Sequence, residues 1–167
     1  MPTDRRSFLR SAGLGAGAAV MASAAPAASS RIIGANDNIR VALIGCGGMG
    51  RGDLRDFLRS PRTQLVALCD VDRNRIESTA KEMEERFEAK PAATTQDIRH
   101  ILDRQDIDAV IIAAPANFHH EVALDLIEAG KHVLIEKPIT STLSQADELI
   151  AAAEANNVVA AVGHVER

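Results

Sequence analysis

The chain has 167 residues, 46% of them hydrophobic and 25% charged, with a formal net charge of −4. That is enough apolar content for one packed domain. Aromatic residues make up only 2%, with no Trp or Tyr, which excludes a base-stacking platform; the acidic balance excludes the basic footprint of a nucleic-acid partner.

Residues 1–30 read as a targeting segment. Arg5 and Arg6 precede Ser7-Phe8-Leu9, a weakly apolar Gly/Ala stretch, and a small-residue end at Ala22-Ser23-Ala24 or Ala25-Pro26-Ala27. That order matches a twin-arginine export signal, which a receptor reads and which is not an anchor. The stretch is too short and Gly-rich to span a bilayer. The expectation is a periplasmic or otherwise exported protein that meets the twin-arginine machinery and has no membrane anchor. Residues 1–30 carry three arginines and one aspartate, so 16 basic and 22 acidic side chains remain and the formal charge becomes −6. A polar arm, residues 31–38, follows.

From residue 39 to 167 the pattern alternates. Ile39–Gly45 is an apolar, β-branched run that predicts a buried strand. Met49–Arg59 carries Leu54, Phe57 and Leu58 at helical spacing. Gln64–Cys69 predicts a second strand. Asp72–Phe87 predicts a charged helix with Ile76, Ala80, Met83 and Phe87 inward. A short strand is expected near Pro91–Thr94, a helix over Thr95–Arg104, and a strand over Asp108–Ala114. Asn117–Ala129 predicts a helix stopped by Gly130. His132–Ile135 is a strand, Thr142–Asn156 a helix capped by Ser141 or Thr142, and Asn157–Gly163 a last strand. Six strands alternating with five helices predict a doubly wound α/β domain on a parallel sheet, a Rossmann fold, with ligands beyond the carboxyl ends of the strands. Cys46 and Cys69 each end a strand and are expected as buried free thiols.

The first strand runs into Gly45-Cys46-Gly47-Gly48-Met49-Gly50, which fits G-x-G-x-x-G between a strand and a helix. Gly45 permits the tight turn, Gly47 lets backbone approach a pyrophosphate, and Gly50 lets the helix pack on the strand. Gly48 and Met49 open the helix whose free N–H groups face the phosphates. Asp70 ends the second strand, twenty residues after Gly50, where a carboxylate can accept hydrogen bonds from ribose hydroxyls. It favours NAD, while Arg73 nearby offers a partner to a 2′-phosphate, so the cofactor is NAD or NADP.

The fifth strand ends on Glu136-Lys137-Pro138. A partly desolvated lysine there can move a proton, and a charged one can stabilise a forming alkoxide. Glu136 can bind the nicotinamide amide or orient Lys137. Composition alone leaves this level with a strand simply ending on solvent. His119 and His120 are adjacent and do not face one site on a helix, so no metal centre is expected.

Together GCGGMG, LCD, APANFHHEVALDLIEAGKHVLIEKP and AVGHVER resemble the Gfo/Idh/MocA oxidoreductases, relatives of glucose–fructose oxidoreductase and inositol dehydrogenase. The resemblance covers nearly all of residues 39–167. It implies that Lys137 lies beside substrate and cofactor and that Glu136 lies near the nicotinamide. It implies that Pro115, Asn117 and His119 line the cofactor, and that Arg167 matches an arginine after the last Rossmann strand. Many members have Thr-Pro-Asn where this chain has Ala114-Pro115-Ala116, with the asparagine one place later. The ending GHVER resembles members acting on nucleotide sugars.

Members also carry a C-terminal α/β domain with much of the sugar pocket and a catalytic histidine, and the chain stops where that domain would begin. The implied protein is the cofactor half of a sugar, cyclitol or nucleotide-sugar dehydrogenase, homo-oligomeric at full length. Two alternatives are an NAD-dependent glycosidase of the same fold, associated with departures at the Glu-Lys-Pro lysine, and a non-catalytic dinucleotide-binding module.

Overall fold

The structure is a computed structural model that describes Gly34 and residues 37–163. The leader at residues 1–30, most of the arm, His164 and Arg167 lie outside the described residues. The elements run β1 (Ile39–Ile44), α1 (Gly48–Leu58), β2 (Thr63–Cys69), α2 (Arg73–Phe87), β3 (Ala93–Thr95), α3 (Arg99–Leu102) and β4 (Ala109–Ile112). A 3₁₀ turn (Ala116–Phe118) follows, then α4 (His119–Glu128), β5 (His132–Glu136), α5 (Leu143–Asn156) and β6 (Ala160–Gly163).

All strand pairs are parallel, in the order β3-β2-β1-β4-β5-β6. The order reverses between β1 and β4, which opens a crevice at the carboxyl edge of those two strands. Alternation along each strand sends side chains to two layers. Val41, Leu43, Leu68 and Ile111 pack with Leu54 of α1 and Ile76 and Met83 of α2. Ala42, Ile44, Val110, Ile112, Val133 and Ile135 pack with Ile101, Leu126, Ile127 and Leu149 from α3, α4 and α5. A register shift between Val41 and Ala42 skips Val66 of β2, so Val66 and Ala67 both enter the second layer.

Charge closes the opposite, amino-terminal edge. The Arg40 guanidinium donates to both carboxylate oxygens of Asp108, at 2.8 and 3.1 Å. The buried Lys131 ammonium donates to the Arg104 carbonyl at 2.6 Å. Desolvation holds that lysine below its ordinary value, and the hydrogen bond offsets part of the cost of burying it. Among the described residues no helix is long and apolar enough to cross a membrane.

The structure departs from the sequence expectation at element ends. The helix expected over Thr95–Arg104 is only Arg99–Leu102. Thr95 pairs with Cys69 in the sheet, its hydroxyl accepts from Asp97 N–H, and the Asp97 carboxylate accepts from Arg99 N–H at 3.0 Å. These side chains hold residues 95–98 in a turn instead of a helix. Asp108 is taken by Arg40, so β4 starts at Ala109. Asn157 adopts φ 53° as the end of α5, which delays β6 to Ala160. In α2 it is Thr79 that is fully inward, with Ala80 only half-buried. Thr142, not Ser141, caps α5 by accepting from Gln145 N–H at 3.3 Å.

Candidate functional site

Parallel strands bring the loops after β1, β2, β4 and β5 to one edge. Gly45 leaves β1 with φ +94°, and a Cβ on it would lie 2.4 Å from the Ala113 carbonyl oxygen. A Cβ on Gly50 would lie 2.1 Å from the Gly45 carbonyl oxygen and 3.0 Å from Ala113 Cβ. These two positions have no room for a side chain, so α1 lies directly on the end of β1. The outer rim of the same loop is open. A Cβ on Gly47 would meet only the Arg75 guanidinium, at 3.8 Å, and one on Gly48 nothing within 4 Å.

Gly47 is the N-cap of the eleven-residue α1 and offers no side-chain cap, and the first turn holds no acidic residue. The uncapped N–H groups and the dipole therefore face the open rim of the loop, which suits an anion such as a diphosphate. The residues present thus fit a dinucleotide.

Two side chains brace the loop. Asp70 is 8% exposed. One of its carboxylate oxygens accepts from Cys46 N–H at 2.7 Å and the other from Asp72 N–H at 2.9 Å. The Thr79 hydroxyl, fully buried in α2, donates to the Cys46 carbonyl at 3.4 Å. Both carboxylate oxygens of Asp70 thus already serve backbone, and only their remaining lone pairs are left for ribose hydroxyls. Cys46 and Cys69 are free and buried, one in each core layer. Burial pushes their thiols up to about 12 and about 11, so both behave as inert packing groups.

The β4 exit carries Pro115 and Asn117, both exposed. His119 opens α4 and is 2% exposed. Its Nδ1 lies 2.8 Å from the Pro138 carbonyl oxygen and its Nε2 2.8 Å from that of Ala114. Both neighbours are carbonyl oxygens, so whichever ring nitrogen carries the proton donates to one of them. The ring is enclosed and turned onto protein carbonyls. His120 diverges from it and pairs with Glu148 at 2.8 Å. Among the described residues no group of three His, Cys, Asp or Glu side chains is placed to hold a metal.

At the β5 exit Glu136 is 4% exposed. One carboxylate oxygen accepts from Lys137 N–H at 3.0 Å, and the other, Oε1, is buried without a hydrogen-bond partner. Gly163 of β6 makes room for it, since a Cβ there would lie 2.6 Å from that oxygen. The Lys137–Pro138 peptide is cis. The Lys137 side chain is exposed, so the described residues do not supply the desolvation anticipated for it.

Three features were missed in the sequence. Val71 and Phe118 are 85% and 48% exposed beside the β2 and β4 exits, and they join Met49, already expected at the site and 52% exposed. These give the crevice an apolar rim suited to flat rings. Asp53, on α1, has a buried carboxylate oxygen with no partner. Burial pushes its carboxyl up to about 6, and the negative charge of Glu136 adds to the effect. Helical spacing finds Asp53, since it lies one turn after Gly50 on the face toward the sheet. The same spacing places Thr79 between Ile76 and Met83.

Comparison with known proteins gives a consistent picture. Residues 39–164 match the family described as an oxidoreductase family with an NAD-binding Rossmann fold, GFO_IDH_MocA. A glycosyl hydrolase family 109 protein from Shewanella sp. (strain ANA-3) is 32% identical over 168 residues, covering 90% of this chain and 37% of the relative. The 3-ketoreductase KijD10 from Actinomadura kijaniata, solved with NADP and TDP-benzene, is 32% identical with a TM-score of 0.65, covering 76% of this chain and 37% of that one. GenD2 from gentamicin A biosynthesis, solved with NAD, is 31% identical with a TM-score of 0.67, covering 80% and 36%. The chain spans little more than a third of the length of these relatives.

Proposed function

Because this chain belongs to the Gfo/Idh/MocA oxidoreductase family, we propose that it is the cofactor-binding half of an NAD(P)-dependent oxidoreductase acting at a carbinol carbon of a sugar, cyclitol or nucleotide sugar. The observation that carries the reading is the meeting, at one sheet edge, of the open, uncapped start of α1 and the exposed Lys137. Nicotinamide, when bound, supplies the hydride acceptor or donor. The glycine loop and α1 hold the diphosphate, with Asp70 and Thr79 fixing the loop from behind. Asp70 favours NAD through the lone pairs it has left, and Arg73 and Arg75 keep NADP open.

Lys137, as an ammonium, stabilises the negative oxygen and gives it a proton when a carbonyl is reduced; in the reverse direction its neutral amine takes the carbinol proton. Glu136 fixes the backbone from which that ammonium projects. The TDP-benzene bound to the ketoreductase KijD10 supports a nucleotide-sugar substrate. The Arg5-Arg6 leader supports export by the twin-arginine route, with the protein folded around its cofactor beforehand. The full-length protein is a homo-oligomer in this reading.

The test is to heat the purified protein and assay the supernatant for NAD(P), then to titrate the emptied protein with dinucleotide. Protein that is cofactor-free and also binds no added dinucleotide contradicts the reading.

A second reading is favoured by the glycosyl hydrolase names among the relatives: the full-length protein cleaves a glycoside with no net change in cofactor redox state. Lys137 favours net redox instead. A glycoside hydrolysed with unchanged nicotinamide absorbance decides for the glycosidase.

A further inference from the structure

We propose that His119 is a positioning residue that sets the spacing between the two strand exits facing the nicotinamide half of the crevice, by bridging the Ala114 and Pro138 carbonyls with one buried ring. The proposal rests on the dinucleotide reading above. It assigns His119 a role apart from contact with the cofactor.

β4 and β5 pair in register as far as Ile112 and Ile135. Beyond that pair the chains part, and no backbone hydrogen bond of the described residues joins residues 113–118 to residues 137–142. The β4 exit carries Pro115 and Asn117, and the β5 exit carries Lys137. Something must hold these two walls at a fixed separation if a ring is to be gripped between one and the ammonium on the other.

The His119 ring is the link, with both contacts at 2.8 Å. Its mount is rigid. It begins α4, whose Ala123, Leu126 and Ile127 are fully buried. At 2% exposure the ring acts on a ligand only through the two exits. The glycine loop is fixed separately, by Asp70 and Thr79. The two halves of the crevice therefore have different supports, and loss of one should leave the other intact.

The experiment compares ADP, which tests the glycine-loop half, with NADH, which tests both. His119→Gln keeps a donor for one carbonyl and turns an acceptor on the other. In the 167-residue chain this variant should bind ADP within about twofold of the unmodified protein, while its NADH affinity falls on the order of tenfold. A general loss of structure would lower both together. Equal loss of both ligands, or no loss of either, overturns the proposal. An unmodified chain that binds neither overturns the dinucleotide reading and this proposal with it, whereas a lost split with normal wild-type binding overturns the proposal alone.

A second measurement does not depend on the variant folding. In the unmodified protein a His119 ring N–H proton should be seen by NMR as a slowly exchanging, hydrogen-bonded proton. A ring whose protons all exchange rapidly with water overturns the strut.

Discussion

Asp53→Asn tests the electrostatics of the crevice directly. The Asp53 carboxyl has a buried oxygen without a partner, and burial with the nearby Glu136 charge raises it from 3.8 to about 6. A rise of two units corresponds to about 3 kcal/mol in a dry site. Asp53 is only half-buried, so solvent screening reduces the expected effect to about 1 kcal/mol. The sign follows from proton linkage. Below pH 3.8 folded and unfolded chains both hold the proton. Between 3.8 and about 6 the unfolded chain releases it while the folded chain keeps it, so stability falls as pH rises. Above 6 both are ionised and the penalty is complete. The asparagine variant should therefore be more stable than the unmodified protein by about 1 kcal/mol at pH 7 and equal to it near pH 4. The chain has no Trp or Tyr, so urea unfolding followed by far-UV circular dichroism at several pH values is the suitable assay. A variant no more stable at pH 7, with an unchanged pH slope, refutes the reasoning.

Four further substitutions probe the crevice. Gly45→Ala and Gly50→Ala each drive a Cβ into backbone oxygen at 2.4 and 2.1 Å and should cost about 2–4 kcal/mol and the dinucleotide site, whereas Gly48→Ala meets nothing within 4 Å and should leave thermal stability unchanged or slightly raised; thermal unfolding and NADH titration separate them. Lys137→Met in the full-length parent should lower hydride transfer by roughly two to three orders of magnitude while dinucleotide affinity in equilibrium titration changes less than about fivefold.

Much of the architecture was legible because the strands are short apolar runs and the helices carry apolar faces at 3.6 spacing. Ile39–Gly45 followed by the glycine loop could only be a strand turning tightly into a helix. What the sequence hid was decided by side chains that compete with backbone. Asp97 reads as part of a helix by composition, yet its carboxylate takes the Arg99 N–H in a turn and α3 begins only at Arg99. Asp108 reads as the first residue of a strand, yet Arg40 from the neighbouring strand claims it. For the site, parallel alternation was enough to bring residues 45–50, 70, 115–117 and 136–137 to one edge. Side-chain direction was not legible. Nothing in the pair His119-His120 says that one ring turns inward onto two carbonyls and the other outward onto Glu148, because Pro138 and Glu148 come from distant segments. Glu136 and Lys137 are adjacent in sequence, yet one is buried with an unpaired oxygen and the other projects into solvent.

The measurement that bears most directly on the central claim is an isothermal titration of the purified, cofactor-stripped chain with NADH, repeated with the Gly50→Ala variant. The account predicts saturable binding of one dinucleotide per chain, abolished in the variant. Absence of binding by the stripped chain, or equal binding by a folded Gly50→Ala chain, would contradict it.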